Sequence, residues 1–219
     1  STVHGLNIGD SGEDRDEMGI VLEPLERAIG FTEFEQFIYR SAAEREGKHD
    51  APSRAGDLDL VLYSLRKFCR LALDGNPTVL TLFFAPPLQM DSRGSQLLEL
   101  APAFARREAG GRFLGYLQAQ RQRLLGERGQ KDVNRQWLVD AYGYDTKYAM
   151  HMLRLGLQGV EYLKTGQMTL PMPEPDRQWL RDVRVGKVTQ QECLTRVGEL
   201  ERELKDLLDV SPLPEHPNR

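Results

Sequence analysis

Three aspartates stand at positions from which their carboxylates could bind a pair of metal ions. Asp14 and Asp16 lie one residue apart, so on an extended backbone both side chains project to the same side. Asp59 lies near the start of the clearest predicted strand, 57–63, on its polar face. Mg²⁺ prefers such oxygen ligands. If the strands with Asp16 and Asp59 are neighbours, the three carboxylates converge as two-metal phosphoryl transfer requires.

Other interpretations of the aspartates remain open from the residues alone. Asp57 shares the strand face of Asp59 and is the alternative third ligand. Both side chains could instead belong to a solvated strand edge. The Asp-x-Asp pattern by itself is common in loops, so it indicates a metal site only together with the third carboxylate.

A second cluster lies in a predicted helix. Lys147, His151 and Arg154 are spaced i, i+4 and i+7, which places them within roughly 60° of one another around the helix axis. Such groups repel unless an anion lies opposite, and a triphosphate or a phosphate backbone would serve. Gln158 and Glu161 continue the stripe, so a solvated helix face is the alternative. His151 could also be a general base or a structural histidine.

The elements that must position these residues follow from the hydrophobic pattern. Strands are predicted at 18–22, 34–40 and 57–63, and the charged stretch 43–55 is predicted to be an exposed loop. Ser64 is the predicted N-cap of a helix that Gly75 ends.

The second part of the chain is predicted to be helical. Thr189 and Glu192 predict a capping box at the start of the last helix. The predicted helices cover 95–107, 112–126, 132–142, 145–165, 175–183 and 190–208.

Strands followed by helices predict an α+β protein, with a small mixed sheet and then a helical domain. The first domain is expected over 1–90 and the helical domain over 91–210, with the boundary near 87–93. The proline-rich segment 211–219 is predicted to be a disordered tail.

Composition excludes several classes of protein. The formal net charge of -4 argues against binding nucleic acid by bulk charge alone. Cys69 and Cys193 are far apart and lie in no zinc-ligand pattern, so two reduced thiols are expected. No apolar run is long enough for a membrane span and no signal peptide is expected, which predicts a cytoplasmic protein. Motifs of P-loop, Rossmann and zinc-protease type are lacking in the sequence.

The beginning of the chain resembles the Gly-Ser … Asp-x-Asp signature of the DNA polymerase beta-like nucleotidyltransferases. Ser1-Thr2-Val3-His4-Gly5 stands before Asp14-Arg15-Asp16 at a matching spacing. The chain begins at the position of the family's Ser, so the Gly and the strand before it are expected to be missing, as in a fragment.

Two further segments resemble one branch of this superfamily, found beside RNA ligases, and the phage-encoded members most closely. They are 59–77, which resembles the branch after its third carboxylate, and 144–155, which resembles the family's helical half. The closeness to phage-encoded members is carried by segments 14–20 and 56–59. The resemblance implies Mg²⁺ or Mn²⁺ held by Asp14, Asp16 and Asp59. The candidate nucleotide-binding residues are Ser1, Thr2, Arg66, Lys67, Lys147, His151 and Arg154, with Asp57, Tyr144 and Arg184 as further candidates. Arg66 and Lys67 could instead be surface charges at the start of their helix.

The resemblance implies an enzyme that transfers a nucleoside monophosphate from an NTP such as ATP to an acceptor and releases pyrophosphate. The expected acceptor is an RNA or tRNA 3′ end. The alternatives are a protein or small-molecule hydroxyl, or a catalytically inactive protein that binds nucleotide. The sequence does not determine the preferred base or the oligomeric state.

Overall fold

The chain forms two compact units. The computed structural model describes residues 3–6, 15–54, 56–128 and 135–216. One unit comprises residue 1 and residues 8–74, and the other comprises residues 2–7 and 75–219. The division follows Asp74, whereas the sequence pattern placed it near 87–93. The reason is that the helix after Asn76 buries Val79, Leu80 and Phe83 within the helical unit.

The first unit contains a three-stranded mixed sheet, as predicted. Its strands pair in the order β1-β3-β2, with β1 parallel and β2 antiparallel to β3. Its elements are β1 (Arg15–Val21), α1 (Leu25–Ala28), β2 (Gln36–Arg40), α2 (Ser41–Glu46), β3 (Leu58–Ser64) and α3 (Leu65–Leu73).

The short helix α2 extends into the stretch 43–55, which was predicted to be a loop. That prediction is therefore wrong for residues 43–46. Ala42 is fully buried, and Gly47 ends the helix with a left-handed φ of 65°. A helix this short with one buried residue has no hydrophobic periodicity that a sequence pattern could reveal.

The junction between β3 and α3 is fixed by side-chain caps. The Ser64 hydroxyl accepts a hydrogen bond from Lys67 N at 3.1 Å, which confirms the predicted N-cap. Glu23 Oε2 accepts from Leu65 N at 3.0 Å and satisfies another amide of the first turn. These bonds fix where β3 ends and α3 begins.

The second unit is helical. The helix predicted over 95–107 is interrupted at Leu100 and divided into two short helices, the second of which has Pro102 in its first turn. The elements are α4 (Pro77–Phe84), α5 (Ser92–Glu99), α6 (Ala101–Phe104), α7 (Ala109–Leu124), α8 (Gln136–Tyr142), α9 (Thr146–Thr165), α10 (Asp176–Arg184) and α11 (Gln190–Val210). The capping box of Thr189 and Glu192 is present.

The helix α9 is the centre of the second unit and packs against α7, α10 and α11. Close approach depends on glycines at the helix contacts. A Cβ on Gly159 would lie 2.8 Å from Phe113 Cβ, and one on Gly156 would lie 2.8 Å from a methyl group of Leu200. The glycines therefore let the helix surfaces meet closely.

The start of the segment predicted to be a disordered tail is packed against the helices. The buried Ser211 donates its hydroxyl to Leu163 O, and Arg107 N donates to Pro214 O at 2.8 Å. The chain therefore remains anchored to α9 and to the segment before α7 beyond the end of α11. None of the helices in the described part of the chain is both long and apolar enough to cross a membrane.

Candidate active site

Asp16 and Asp59 are register partners on the neighbouring parallel strands β1 and β3. Their side chains project from the same face of the sheet, on strands about 4.8 Å apart. The Asp59 side chain is 24% exposed. Asp14, Ser1 and Thr2 lie outside the described residues. The structure thus brings together two of the three predicted carboxylates.

The two carboxylates offer a donor set that suits a divalent cation. Both present hard oxygen ligands, and two like charges on adjacent strands favour a cation between them. Within the described ranges, no cluster of three His, Cys, Asp or Glu side chains is placed to hold a metal ion. A metal at this edge would take ligands from Asp16 and Asp59, and Asp14 stays a predicted ligand.

Both oxygens of Asp59 are held by side chains that the sequence did not single out. Arg40 Nε donates to Asp59 Oδ1 at 3.3 Å, and the Ser53 hydroxyl donates to Oδ2 at 3.0 Å. Arg40 is the partner of Asp59 on β2. The sequence predicted a strand through Arg40, but strand register cannot be read from a single pattern of this length.

Asp57 is used by the local structure. It is 6% exposed, and its oxygens accept hydrogen bonds from the Arg45 guanidinium, from Ser41 Oγ at 2.9 Å and from Arg54 N at 2.7 Å. The bond from Arg45, followed by that from the Arg54 amide, holds the pKa of this carboxyl well below its usual range. The geometry favours Asp59 over Asp57 as the third carboxylate.

Arg66 and Lys67 are not near the paired carboxylates. They lie beyond the carboxyl end of β3, whereas Asp59 lies at its amino end, so about 16 Å of strand intervenes. Lys67 donates to Glu35 at 2.9 Å, and Arg66 lies 3.7 Å from Glu33. The role of Arg66 and Lys67 in binding the nucleotide stays a prediction, and in this structure each cation lies near a glutamate.

One face of α9, here called the α9 stripe, carries Lys147, His151, Arg154, Gln158 and Glu161. This face is only partly solvated. Lys147 is exposed, but Gln158 is buried and accepts from Arg154 Nη1 at 3.1 Å. Arg154 Nη1 also lies 2.7 Å from Nε2 of the buried His4. The solvated-face alternative is therefore wrong for the half of the stripe that begins at Arg154.

The charges of this stripe are not neutralised by carboxylates of the described chain. Neither Lys147 nor Arg154 forms an ion pair there, and the buried Nε of Arg154 has no hydrogen-bond partner. Burial lowers the pKa of Arg154 to about 10, so the guanidinium stays charged at neutral pH. Such a pair of cations fits an anionic group such as phosphate.

His151 and the neighbouring His4 are both neutral near pH 7. Burial, followed by the charges of Arg154, Lys147 and Arg135, lowers the pKa of His151 to about 3. Burial and Arg154 likewise lower the pKa of His4 to about 2. An imidazole of such low basicity is a poor general base near neutral pH. In this structure His151 is therefore better suited to hydrogen bonding than to proton abstraction.

His4 connects the beginning of the chain to α9. Its carbonyl oxygen accepts from Met172 N at 3.3 Å, and the next residue, Gly5, has a φ of 69° and packs against Pro171 and Arg177. The segment that follows the predicted triphosphate-binding residues thus contacts the α9 stripe. His4 lies within the amino-terminal motif, but no sequence pattern singles it out as a functional residue.

The two further candidates differ in their surroundings. Tyr144 is 5% exposed and its hydroxyl donates to Val188 O at 2.5 Å, so it packs the start of α9 against the segment before α11. Arg184 is half-buried and donates to Thr146 Oγ1 at 3.4 Å, beside the first turn of α9. Of the two, only Arg184 keeps part of its side chain accessible near the stripe.

The mixed sheet with paired aspartates and the helical unit are the features expected of a DNA polymerase beta-like nucleotidyltransferase. Residues 1–218 match the sequence profile of the RlaP family, described as the RNA repair pathway DNA polymerase beta family. Because the match covers nearly all residues, the chain belongs to this family. The prediction of the superfamily and of the fold class is confirmed, while the closeness to phage-encoded members stays a prediction. No curated protein and no solved structure matches the chain.

Proposed function

We propose that the protein is a metal-dependent nucleotidyltransferase that moves a nucleoside monophosphate from an NTP to the 3′ end of an RNA such as a tRNA. The observation that carries this proposal is the register of Asp16 with Asp59 on adjacent strands. Family membership supplies the reaction class and the connection to RNA repair.

Asp16 and Asp59 would hold Mg²⁺ or Mn²⁺ together with Asp14, the third predicted carboxylate. The bound ion supplies charge stabilisation for an in-line displacement at phosphorus. In the proposed step the acceptor hydroxyl oxygen forms a bond to the α-phosphorus, and the bond from that phosphorus to the bridging oxygen of the β-phosphate breaks. Pyrophosphate leaves, and Asp59 takes part in accepting the hydroxyl proton.

The residues of α9 would contact phosphate. Arg154 offers a charged guanidinium with an unpaired Nε, and Lys147 offers an exposed ammonium. His151 is half-buried beside them and can share a hydrogen bond with a phosphate oxygen. The negative charge of a bound phosphate would compensate the two cations that no described carboxylate neutralises.

An RNA acceptor is consistent with the charge of the chain. The net charge of -4 provides little long-range attraction to a polyanion, so binding would depend on local cations and on stacking with, or hydrogen bonds to, the bases. A 3′ terminal hydroxyl requires few phosphate contacts, because only the last nucleotides approach the reacting phosphorus.

The acceptor is identified by labelling. The full chain is incubated with each α-³²P NTP, Mg²⁺ or Mn²⁺ and total cell extract, and the products are treated with RNase or with protease. Label that RNase releases and protease does not supports the proposal. Label that only protease releases identifies a protein acceptor and overturns the RNA assignment. Calorimetric binding of NTP with no pyrophosphate from any acceptor pool indicates a nucleotide-binding protein without transferase activity.

A further inference from the structure

Arg40 stands beside Asp59 and completes a row of three charged residues across the sheet. It is the last residue of β2 and the register partner of Asp59. Asp16 is the partner of Asp59 on the other side. Directly opposed residues of neighbouring strands project from one face with Cβ atoms about 5 Å apart. The guanidinium therefore lies next to the proposed metal edge.

The Arg40 guanidinium joins the Asp59 carboxylate to the loop that precedes β3. Nη1 donates to His49 O at 3.0 Å, and Nη2 donates to Ala51 O at 3.1 Å. Nη2 also donates to Ser53 Oγ at 3.1 Å, while Nε donates to Asp59 Oδ1 at 3.3 Å. One planar group thus sets the position of the loop backbone and of one carboxylate oxygen.

Ser53 closes the connection on the other oxygen. Its hydroxyl accepts from Arg40 and donates to Asp59 Oδ2 at 3.0 Å. A carboxylate has about four acceptor positions, so Asp59 can keep both hydrogen bonds and still offer lone pairs to a cation. The two bonds restrict rotation of the carboxylate and so determine the direction of its remaining lone pairs.

We infer that Arg40 is a positioning residue for the reaction, because it sets the direction of the Asp59 carboxylate and couples that direction to the 49–53 loop. The inference rests on the proposed function, in which Asp59 is a metal ligand. Groups that orient a ligand from outside the coordination sphere change metal affinity or activity by about 10–100-fold when they are removed.

Arg45 provides a matched control within the same unit. It pairs with Asp57, which also accepts from Ser41 and from the Arg54 amide, and so it anchors the same connection between α2 and β3. Within the described residues, its carboxylate partners are Asp57 and Glu46, and it forms no ion pair with Asp59. Loss of Arg45 therefore tests loop anchoring without the contact to the proposed metal ligand.

The experiment compares full-length Arg40→Met, Arg40→Lys, Ser53→Ala and Arg45→Met with the unaltered chain. Mn²⁺ is titrated calorimetrically in the presence of a non-hydrolysable NTP analogue, and kcat and KM for the NTP are measured separately. Arg40→Met is expected to weaken Mn²⁺ binding about tenfold and to lower kcat about 100-fold, with KM little changed.

The remaining variants sharpen the test. Arg40→Lys is expected to recover part of the Mn²⁺ affinity, because an ammonium can pair with Asp59 but cannot also span the two loop carbonyls. Ser53→Ala is expected to show a smaller loss of the same kind. Arg45→Met is expected to lower the midpoint of thermal unfolding while its folded form binds Mn²⁺ normally. If Arg40→Met does not fold, the Arg40→Lys and Ser53→Ala variants decide.

Several outcomes overturn the inference. Normal Mn²⁺ affinity in folded Arg40→Met does so, and so does an equal loss of affinity in Arg45→Met. Its failure is distinguishable from that of the proposed function. If Arg40→Met binds Mn²⁺ more weakly, but neither the unaltered chain nor any variant transfers NMP, Arg40 still orients the Asp59 carboxylate and the transferase proposal is rejected. If Arg40→Met transfers NMP as fast as the unaltered chain, the transferase proposal stands and the inference about Arg40 is rejected. Asp59→Asn is titrated with Mn²⁺ in the same way. If Asp59→Asn binds Mn²⁺ as tightly as the unaltered chain, or if the unaltered chain binds none, both proposals are rejected.

Discussion

Asp57 and Asp59 show how two identical side chains, two residues apart, are given different roles. Asp57 precedes β3 and accepts hydrogen bonds from the turn and from α2, which leaves it 6% exposed. Asp59 lies within β3 and is paired in register with Asp16. Loss of Asp57 should therefore affect folding, and loss of Asp59 should affect the chemistry.

The first prediction separates these roles. Loss of a group outside the coordination sphere typically costs about 10–100-fold in activity. Asp59→Asn and Asp16→Asn should each lower NMP transfer by more than this, because each removes a charged ligand. Asp57→Asn should instead lower the thermal unfolding midpoint, since the ion pair between Arg45 and Asp57 is lost. Transfer kinetics and thermal unfolding are measured on the same samples. Full activity in Asp59→Asn would contradict the assignment, and the exposed Asp50→Asn serves as the control.

The second prediction concerns pH and the histidines His4 and His151. The pKa of His4 is lowered to about 2 and that of His151 to about 3, whereas an unfolded histidine titrates near 6.5. Below that pH the unfolded chain binds protons that the folded chain does not, so stability falls with decreasing pH. By about pH 5 each histidine should account for up to about 2 kcal/mol of the loss.

Urea unfolding near neutral pH and near pH 5 measures this effect. His151→Gln and His4→Gln should each reduce the loss of stability on acidification relative to the unaltered chain. The exposed His49→Gln is the control for loss of an imidazole outside α9 and the amino-terminal segment. If all variants lose the same stability, the two imidazoles are not neutral in the folded protein.

At the scale of elements, the glycines of α9 and α11 occupy different surroundings. A Cβ on Gly159 would lie 2.8 Å from Phe113 Cβ, an atom held by the backbone of α7. A Cβ on Gly198 would meet nothing within 4 Å. One glycine is required for helix contact, while the other only weakens its helix.

The third prediction follows from this contrast. Gly159→Ala should destabilise the protein by about 1–3 kcal/mol through overpacking, less the benefit of about 1 kcal/mol that alanine brings to a helix. Gly198→Ala should stabilise it by up to about 1 kcal/mol. Chemical denaturation of both variants provides the comparison. Stabilisation by Gly159→Ala would show that α7 and α9 can separate without loss.

At the scale of the whole chain, the last described residues are part of the helical unit. Ser211 and Pro214 bond to Leu163 and Arg107, and Leu213 packs against Gly166. Glu215 lies 3.6 Å from Arg107 in an exposed ion pair, and such pairs contribute little. The packed part of the tail therefore ends near Pro214.

The fourth prediction tests the tail by truncation. Removal of residues 211–219 should lower the thermal unfolding midpoint, because the Leu163 carbonyl and the Arg107 amide lose their partners. Removal of residues 215–219 should leave the midpoint almost unchanged. Equal midpoints for both truncations would support the disordered tail that composition suggested.

The order of elements and several local signals were determined by the sequence itself. One apolar run and two alternating segments predicted the strands, and the 3.6-residue period predicted the helices. Ser64, Thr189 and Glu192 predicted helix starts that are confirmed. Family membership was also predictable, because the motif segments are contiguous in the chain. These features depend on neighbours in sequence, which a single chain displays directly.

Tertiary structure alone decided which of these residues meet. The sequence offered Asp59 as the third carboxylate with Asp57 as the alternative, and it did not show that Arg66 and Lys67 lie at the opposite end of β3 from Asp59. It gave no sign that Arg40 holds Asp59 or that His4 covers Arg154. Such pairings depend on strand register and on contacts between residues far apart in the chain, which local spacing does not encode.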